Sequence, residues 1–111
     1  MFETTLSENN IPILRVEGKI IGSTVDVLRG EMEELVAQSG GRLVLDLERV
    51  PLLDSSALGI IIATLQFLRK DDGKLVLLNP QQAVVNVLKV TRLDSIIDTY
   101  SDEAEALNAF K

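Results

Sequence analysis

An α/β domain on a mixed, mostly parallel sheet that opens with a β-hairpin is the fold class predicted by three observations. Two short apolar segments at the start of the chain are joined by a polar cluster. After them, segments of strand length alternate with segments of helical period in the order β-β-α-β-α-β-α-β-α. Strands separated by helices pair in parallel through right-handed crossovers. The third observation is compositional: 46% hydrophobic against 25% charged residues is globular, and 4% aromatic makes the core aliphatic. A length of 111 residues predicts one domain, 1–111.

Residues 2–6 and 11–18 read as the hairpin strands, with Ser7-Glu8-Asn9-Asn10 as their loop. In the second strand Ile11, Ile13 and Arg15 share one face, and Leu14 and Val16 the other. Residues 23–39 place Val25, Leu28, Met32, Leu35 and Val36 at helical spacing opposite Asp26, Glu31, Glu33 and Glu34. Ser23 with Asp26 resembles a capping box, and Gly40-Gly41 ends the helix by taking positive φ. The near-continuous apolar run 43–47, LVLDL, predicts a central strand covered on both faces.

Residues 55–69 carry Leu58, Ile61, Ile62, Leu65 and Leu68 on one stripe, widened by Ile60, Ala63 and Phe67, which predicts the most buried helix. Asp71-Asp72-Gly73 turns into a strand over 74–78. Asn79-Pro80 then reads as cap and first position of a third helix, with Val84, Val87 and Leu88 inward and an end near 92–93. A short strand over 95–99 leads to a last helix, capped by Ser101, favoured by Asp102 and Glu103, and burying Ala104, Leu107 and Phe110. No internal repeat, linker or low-complexity segment interrupts this order.

The chain contains no His and no Cys, so the usual neutral-pH general base, the thiolate nucleophile and the usual zinc ligands are missing. It has no P-loop, no G-x-S-x-G and no G-x-G-x-x-G. No enzyme, cofactor or metal site is expected. Asp46 and Asp54 suit a metal or an acid/base pair by residue type alone, but strand-end aspartates more commonly bind loop amides and caps. A net charge of -6 with scattered basic residues argues against nucleic acid and anionic membrane, and for a partner with a basic face. The richest apolar stretch, 57–68, is broken by Gly59, Thr64 and Gln66, short of the roughly 18 apolar residues of a membrane span. The start MFETTLSENN lacks the basic flank and apolar run of a signal peptide, so a cytoplasmic location is expected.

The focus of the chain is Asp54-Ser55-Ser56, where LVLDL and a short loop run into the apolar helix. An oxygen at this junction caps the helix by accepting from an unpaired first-turn N–H. A serine hydroxyl here also lies at the carboxyl end of a strand, the rim where open α/β sheets present functional groups. The two readings are compatible, because one residue caps while its neighbour points outward.

Strand LVLDL, loop ERVPLL and DSSALG opening an apolar helix resemble the anti-sigma factor antagonist family, the STAS domains. The likeness extends over nearly the whole chain, through Gly18 after the second strand, the helix before LVLDL, the strand KLVLLNP, and VLKVTRLDSII before the terminal helix. As a block it is specific, although D-S-S alone is not. The resemblance implies helices mainly on one face of the sheet and a switch run by the serine directly after the motif aspartate, here Ser55. It further implies that the unmodified form captures an anti-sigma factor that is also a serine kinase. Phosphorylation then breaks the complex, and a metal-dependent serine phosphatase resets it. The expected partner surface comprises Asp54, Ser56, Leu58 and Gly59, extended by Ser23 and Thr24, with Asn79 on the same rim.

Two positions depart from the family pattern. Ala57 stands where the first glycine of D-S-S-G-L-G is usual, and Ile21-Gly22 where many members carry an acid. An alanine raises helix propensity but is expected to crowd a kinase at Ser55, and the lost acid to weaken kinase recognition. The rival reading is a non-switching scaffold or small-ligand-binding module of the same fold, in which Ser55 is only a helix cap.

Overall fold

The sheet is built outward from the LVLDL strand. In the computed structural model, which describes residues 2–111, β3 (Arg42–Arg49) is the middle of five strands in the order β1-β2-β3-β4-β5. β1 (Phe2–Leu6) pairs antiparallel with β2 (Pro12–Glu17). β2, β3, β4 (Lys74–Leu78) and β5 (Asp98–Tyr100) are mutually parallel. This is the mixed, mostly parallel sheet with an N-terminal hairpin that the sequence predicts. In the hairpin loop the Ser7 hydroxyl accepts from the Ile11 N–H at 3.1 Å, and Asn10 takes the left-handed conformation.

Both faces of the central strands are covered, which is why their sequences lack a polar alternation. On one face α1 (Ser23–Ser39), α2 (Ser55–Arg69) and α3 (Gln82–Val90) pack Leu28, Met32, Ile61, Leu65 and Leu88 over Leu45 and Leu77. On the other, α4 (Glu103–Asn108) sets Ala106 over Ile13, Val44, Val76 and Leu78. The alternation predicted for β2 holds: Ile11 and Ile13 belong to the α4 side, Leu14 and Val16 to the three-helix side.

Arg15 ties α4 to the sheet. Its Nη1 donates to Asp46 Oδ2 at 2.8 Å and its Nη2 to Glu103 Oε1 at 2.9 Å. The bond to Glu103 raises the guanidinium pKa above its ordinary value; burial opposes this, and Asp46 adds to it. Asp46, the single polar residue inside LVLDL, is thereby satisfied, and its other oxygen accepts from the Glu48 N–H at 3.0 Å.

Several expectations are corrected at helix ends and edges. The Ser23-Asp26 capping box does not form: the residue before α1 is Gly22, and Asp26 pairs with Arg29 at 3.3 Å. Asn79 does not cap α3, because its φ of 51° is far from the extended conformation of a cap; Gln81 takes that position, and α3 ends at Val90. Leu93–Ser95 form one turn of 3-10 helix, so the last strand begins three residues later than predicted. Asp102, not Ser101, caps α4, accepting from the N–H of Ala104 at 2.7 Å. Within α4 the buried residue is Ala106, while Ala104 is exposed. In α2 the buried stripe takes in Ala57 and Ile60 but leaves Ala63 exposed and Phe67 61% exposed.

Candidate functional site

The site forms where two strand-to-helix loops cross. Ile20, after β2, and Leu53, after β3, make a parallel bridge that prolongs the sheet past its carboxyl edge. The Ile20 N–H donates to the Leu52 carbonyl at 3.0 Å, and the Asp54 N–H to the Ile20 carbonyl at 3.2 Å. This brings the starts of α1 and α2 side by side.

Asp54 joins them. Its backbone is extended, with φ -87° and ψ 176°, as helix capping requires. Oδ1 accepts from the Ala57 N–H at 2.8 Å, closing the first turn of α2. Oδ2 accepts from the Gly22 N–H at 3.2 Å, at the entry to α1. Gly22 reaches this geometry with φ 55° and ψ -128°, a backbone that residues with a Cβ rarely adopt. Thr24 finishes the turn: its hydroxyl accepts from the Ile21 N–H at 2.9 Å and donates to the Ile21 carbonyl at 2.6 Å.

With the cap supplied by Asp54, the serines are left free. Ser55 and Ser56 are exposed on the first turn of α2, and neither hydroxyl makes a hydrogen bond among the described residues. The capping role considered for Ser55 therefore belongs to its neighbour. Ser23 is exposed on the adjoining first turn of α1.

The remaining expected surface residues divide. Gly59 is exposed, with open space where a side chain would stand. Leu58 is only 8% exposed and packs in the three-helix core, so its side chain supports the surface and does not form it. Ala57 is fully buried, so its methyl points into the core and does not crowd an approach to Ser55. Asn79 is engaged with other partners: its Nδ2 donates to Glu48 Oε2 at 3.3 Å and its N–H to the Tyr100 carbonyl at 2.7 Å. Leu52, 43% exposed, is a residue that sequence reasoning did not single out, and Ile21, 41% exposed, entered it only as a departure from the family pattern. Their signal is an apolar side chain in a loop beside Gly22 and Pro51, where nothing in the chain's own packing requires one. Among the described residues no acidic, His or Cys group clusters as a metal site would.

A five-stranded sheet of this order, three helices on one face, and an aspartate-fixed loop presenting serines at the start of α2 together define a STAS-type α/β domain. The STAS domain family model matches residues 4–106, and the chain belongs to that family. It is 32% identical over 92 residues to the anti-sigma-B factor antagonist of Bacillus subtilis (strain 168), covering 83% of each chain. An anti-sigma factor antagonist from Mycobacterium paratuberculosis, solved by crystallography, is 28% identical with a TM-score of 0.86, over 98% of this chain and 92% of that one. The Bacillus cell fate determinant SpoIIAA in its phosphorylated form shares the fold at 20% identity, with a TM-score of 0.76 over the whole of both chains.

Proposed function

We propose that this protein is an anti-sigma factor antagonist whose docking is switched by phosphorylation of Ser55. It acts as a binding regulator and not as an enzyme, with residues 1–111 working as one domain in the cytoplasm. Its partner is an anti-sigma factor that doubles as a serine kinase. A serine phosphatase acts on the modified form, and neither nucleic acid nor membrane takes part. The observation that carries the reading is the separation of roles at Asp54-Ser55: both carboxylate oxygens are committed to the loop, and the adjacent hydroxyl is exposed and unbonded. Ser56, Gly59, Ser23 and Thr24 surround it, the exposed Ile21 and Leu52 give the surface its apolar part, and Asn79 lies at its margin.

Phosphorylation would add about 1.5 to 2 negative charges beside Asp54 in a chain already at -6. A partner carboxylate about 4 Å away would oppose each unit charge by roughly 4 kcal/mol at an effective dielectric near 20, close to a thousandfold in affinity. The unpaired amides at the start of α2 offset only about 0.3 to 1 kcal/mol of this, so docking changes while the fold stays.

The test is capture from native extract on wild-type, Ser55→Ala and Ser55→Glu baits, with titration of the retained kinase. Wild type and Ser55→Ala should hold it, Ser55→Glu should not, and the kinase with ATP should phosphorylate the peptide containing Ser55. Equal affinity of wild type and Ser55→Glu would overturn the reading.

A further inference from the structure

Helix α2 has two apolar faces; the chain buries one of them and, of the other, Ile60 alone. Leu58, Ile61, Leu65 and Leu68 face the sheet. Gly59, Ile60, Ala63 and Phe67 lie along a second line, and with Val36 and Ala37 of α1 they line a groove of about 1060 Å³ between the two helices. The groove exists because small residues stand where the helices approach: Gly59 and Ala63 on one wall, Ala37 and Gly40 on the other. Thr64, also in it, donates its hydroxyl back to the Ile60 carbonyl at 2.9 Å and so turns no free donor to an occupant.

The rim is acidic. Glu33 on the α1 wall and Asp71 beyond the α2 wall are exposed and form no ion pair among the described residues. The one basic side chain lining the groove, Arg29, is paired with Asp26 at 3.3 Å. Along α2 the groove runs from Ser56 to Leu68, about 18 Å at 1.5 Å per residue, the length of at least about 12 helical residues. A second copy of this chain would bring like charges together at this rim.

We propose that the groove between α1 and α2 receives an amphipathic helix with an apolar stripe and Lys or Arg on its flanks, the helix-in-groove mode of recognition. Because Ser56 and Gly59 belong both to the groove and to the surface around Ser55, that helix is part of the same partner; this last step rests on the docking reading above. The groove's own preference does not, since Ser55 is not among its lining residues.

The probe is a fluorescent, side-chain-stapled helical peptide of about 15 residues with a Leu/Ala stripe and Lys flanks, titrated against the full chain. Saturable binding is expected, weakened at least about tenfold by Ala63→Arg and unchanged by Val27→Arg, the same charge on an exposed α1 position outside the groove. A Glu-flanked peptide should bind at least about tenfold more weakly, and Ser55→Glu should bind the Lys-flanked peptide as wild type does. Circular dichroism checks folding; if Ala63→Arg does not fold, Ala37→Arg on the opposite wall gives the same readout. Equal loss in Ala63→Arg and Val27→Arg, or indifference to flank charge, overturns the proposal. So does a wild-type dimer dissociated by Ala63→Arg in sedimentation, which makes a second copy the occupant. Binding of a fluorescent hexadecanoic acid, lost in Ala63→Arg, with no peptide binding would assign the groove to an acyl chain instead. Peptide binding with no effect of Ser55→Glu on partner capture would remove the switch alone and leave the groove assignment standing.

Discussion

Asp54 holds the starts of two helices with one carboxylate, and the neighbouring serine owes its freedom to that. Asp54→Ala removes the cap of α2 and the acceptor for Gly22, and should cost about 0.5 to 2 kcal/mol in urea unfolding. Ser55→Ala removes no bond and should change stability by less than about 0.5 kcal/mol; a larger loss would return Ser55 to a structural role. Arg15 works on the far side of the sheet. Arg15→Met leaves the carboxylate of the buried Asp46 without its charged donor and α4 without one of its ties to the sheet. About 1 to 3 kcal/mol should be lost, with faster amide exchange in α4 than in α1. Because the Arg15 pKa is raised and the group is a cation, its contribution is complete at neutral pH. The guanidinium's share is lost as pH climbs through its own range.

At the scale of elements, α2 shows how far a periodic pattern reaches. Its bounds, Ser55–Arg69, are those the sequence predicts, because an aspartate at the entry and a turn of Asp71-Asp72-Gly73 at the exit mark them locally. The pattern also makes Ala63 and Phe67 look like core, since hydrophobicity cannot say whether a second apolar face meets this chain or another. Glycines sort the same way. Gly30 lies inside α1, and a Cβ added there would meet nothing within 4 Å, so Gly30→Ala should raise stability by about 1 kcal/mol. At Gly73 a Cβ would stand 2.7 Å from the Gly41 carbonyl oxygen and 3.0 Å from that of Leu68. Gly73→Ala should therefore cost roughly 1 to 3 kcal/mol in the same unfolding assay. The caps of α1, α3 and α4 were less legible, because Ser, Asn and Asp are all competent caps and the backbone at each position chooses among them.

For the molecule as a whole, the two layers set the order of local opening. β3 and β4 lie inside the sheet and are covered on both faces, whereas β1 is an edge and α4 is one short helix that buries only Ala106 fully and is otherwise held by half-buried Leu107 and by the Arg15 and Lys74 links. Hydrogen exchange should therefore be slowest in 43–47 and 75–78 and fastest in β1 and α4. Ser55 lies on an exposed first turn outside both apolar clusters, so Ser55→Glu should keep the same exchange pattern in β3 and β4 even where it changes docking as proposed. Loss of protection there would mean that the switch works by unfolding.

The sequence by itself determined the element order, the central place of LVLDL, the N-terminal hairpin, the aliphatic core and the Asp54-Ser55 junction. These depend on periodicity and on residue types next to one another in the chain. Only the tertiary structure decided that Asp54 also holds Gly22, that Ala57 and Leu58 face inward, that Asn79 binds Glu48, and that Ile21 and Leu52 stay exposed in the loops before α1 and α2. It also decided that Ala63 and Phe67 border a groove with α1. Each of these turns on a meeting between segments far apart in the chain, and such a meeting leaves no mark in the local pattern of either segment.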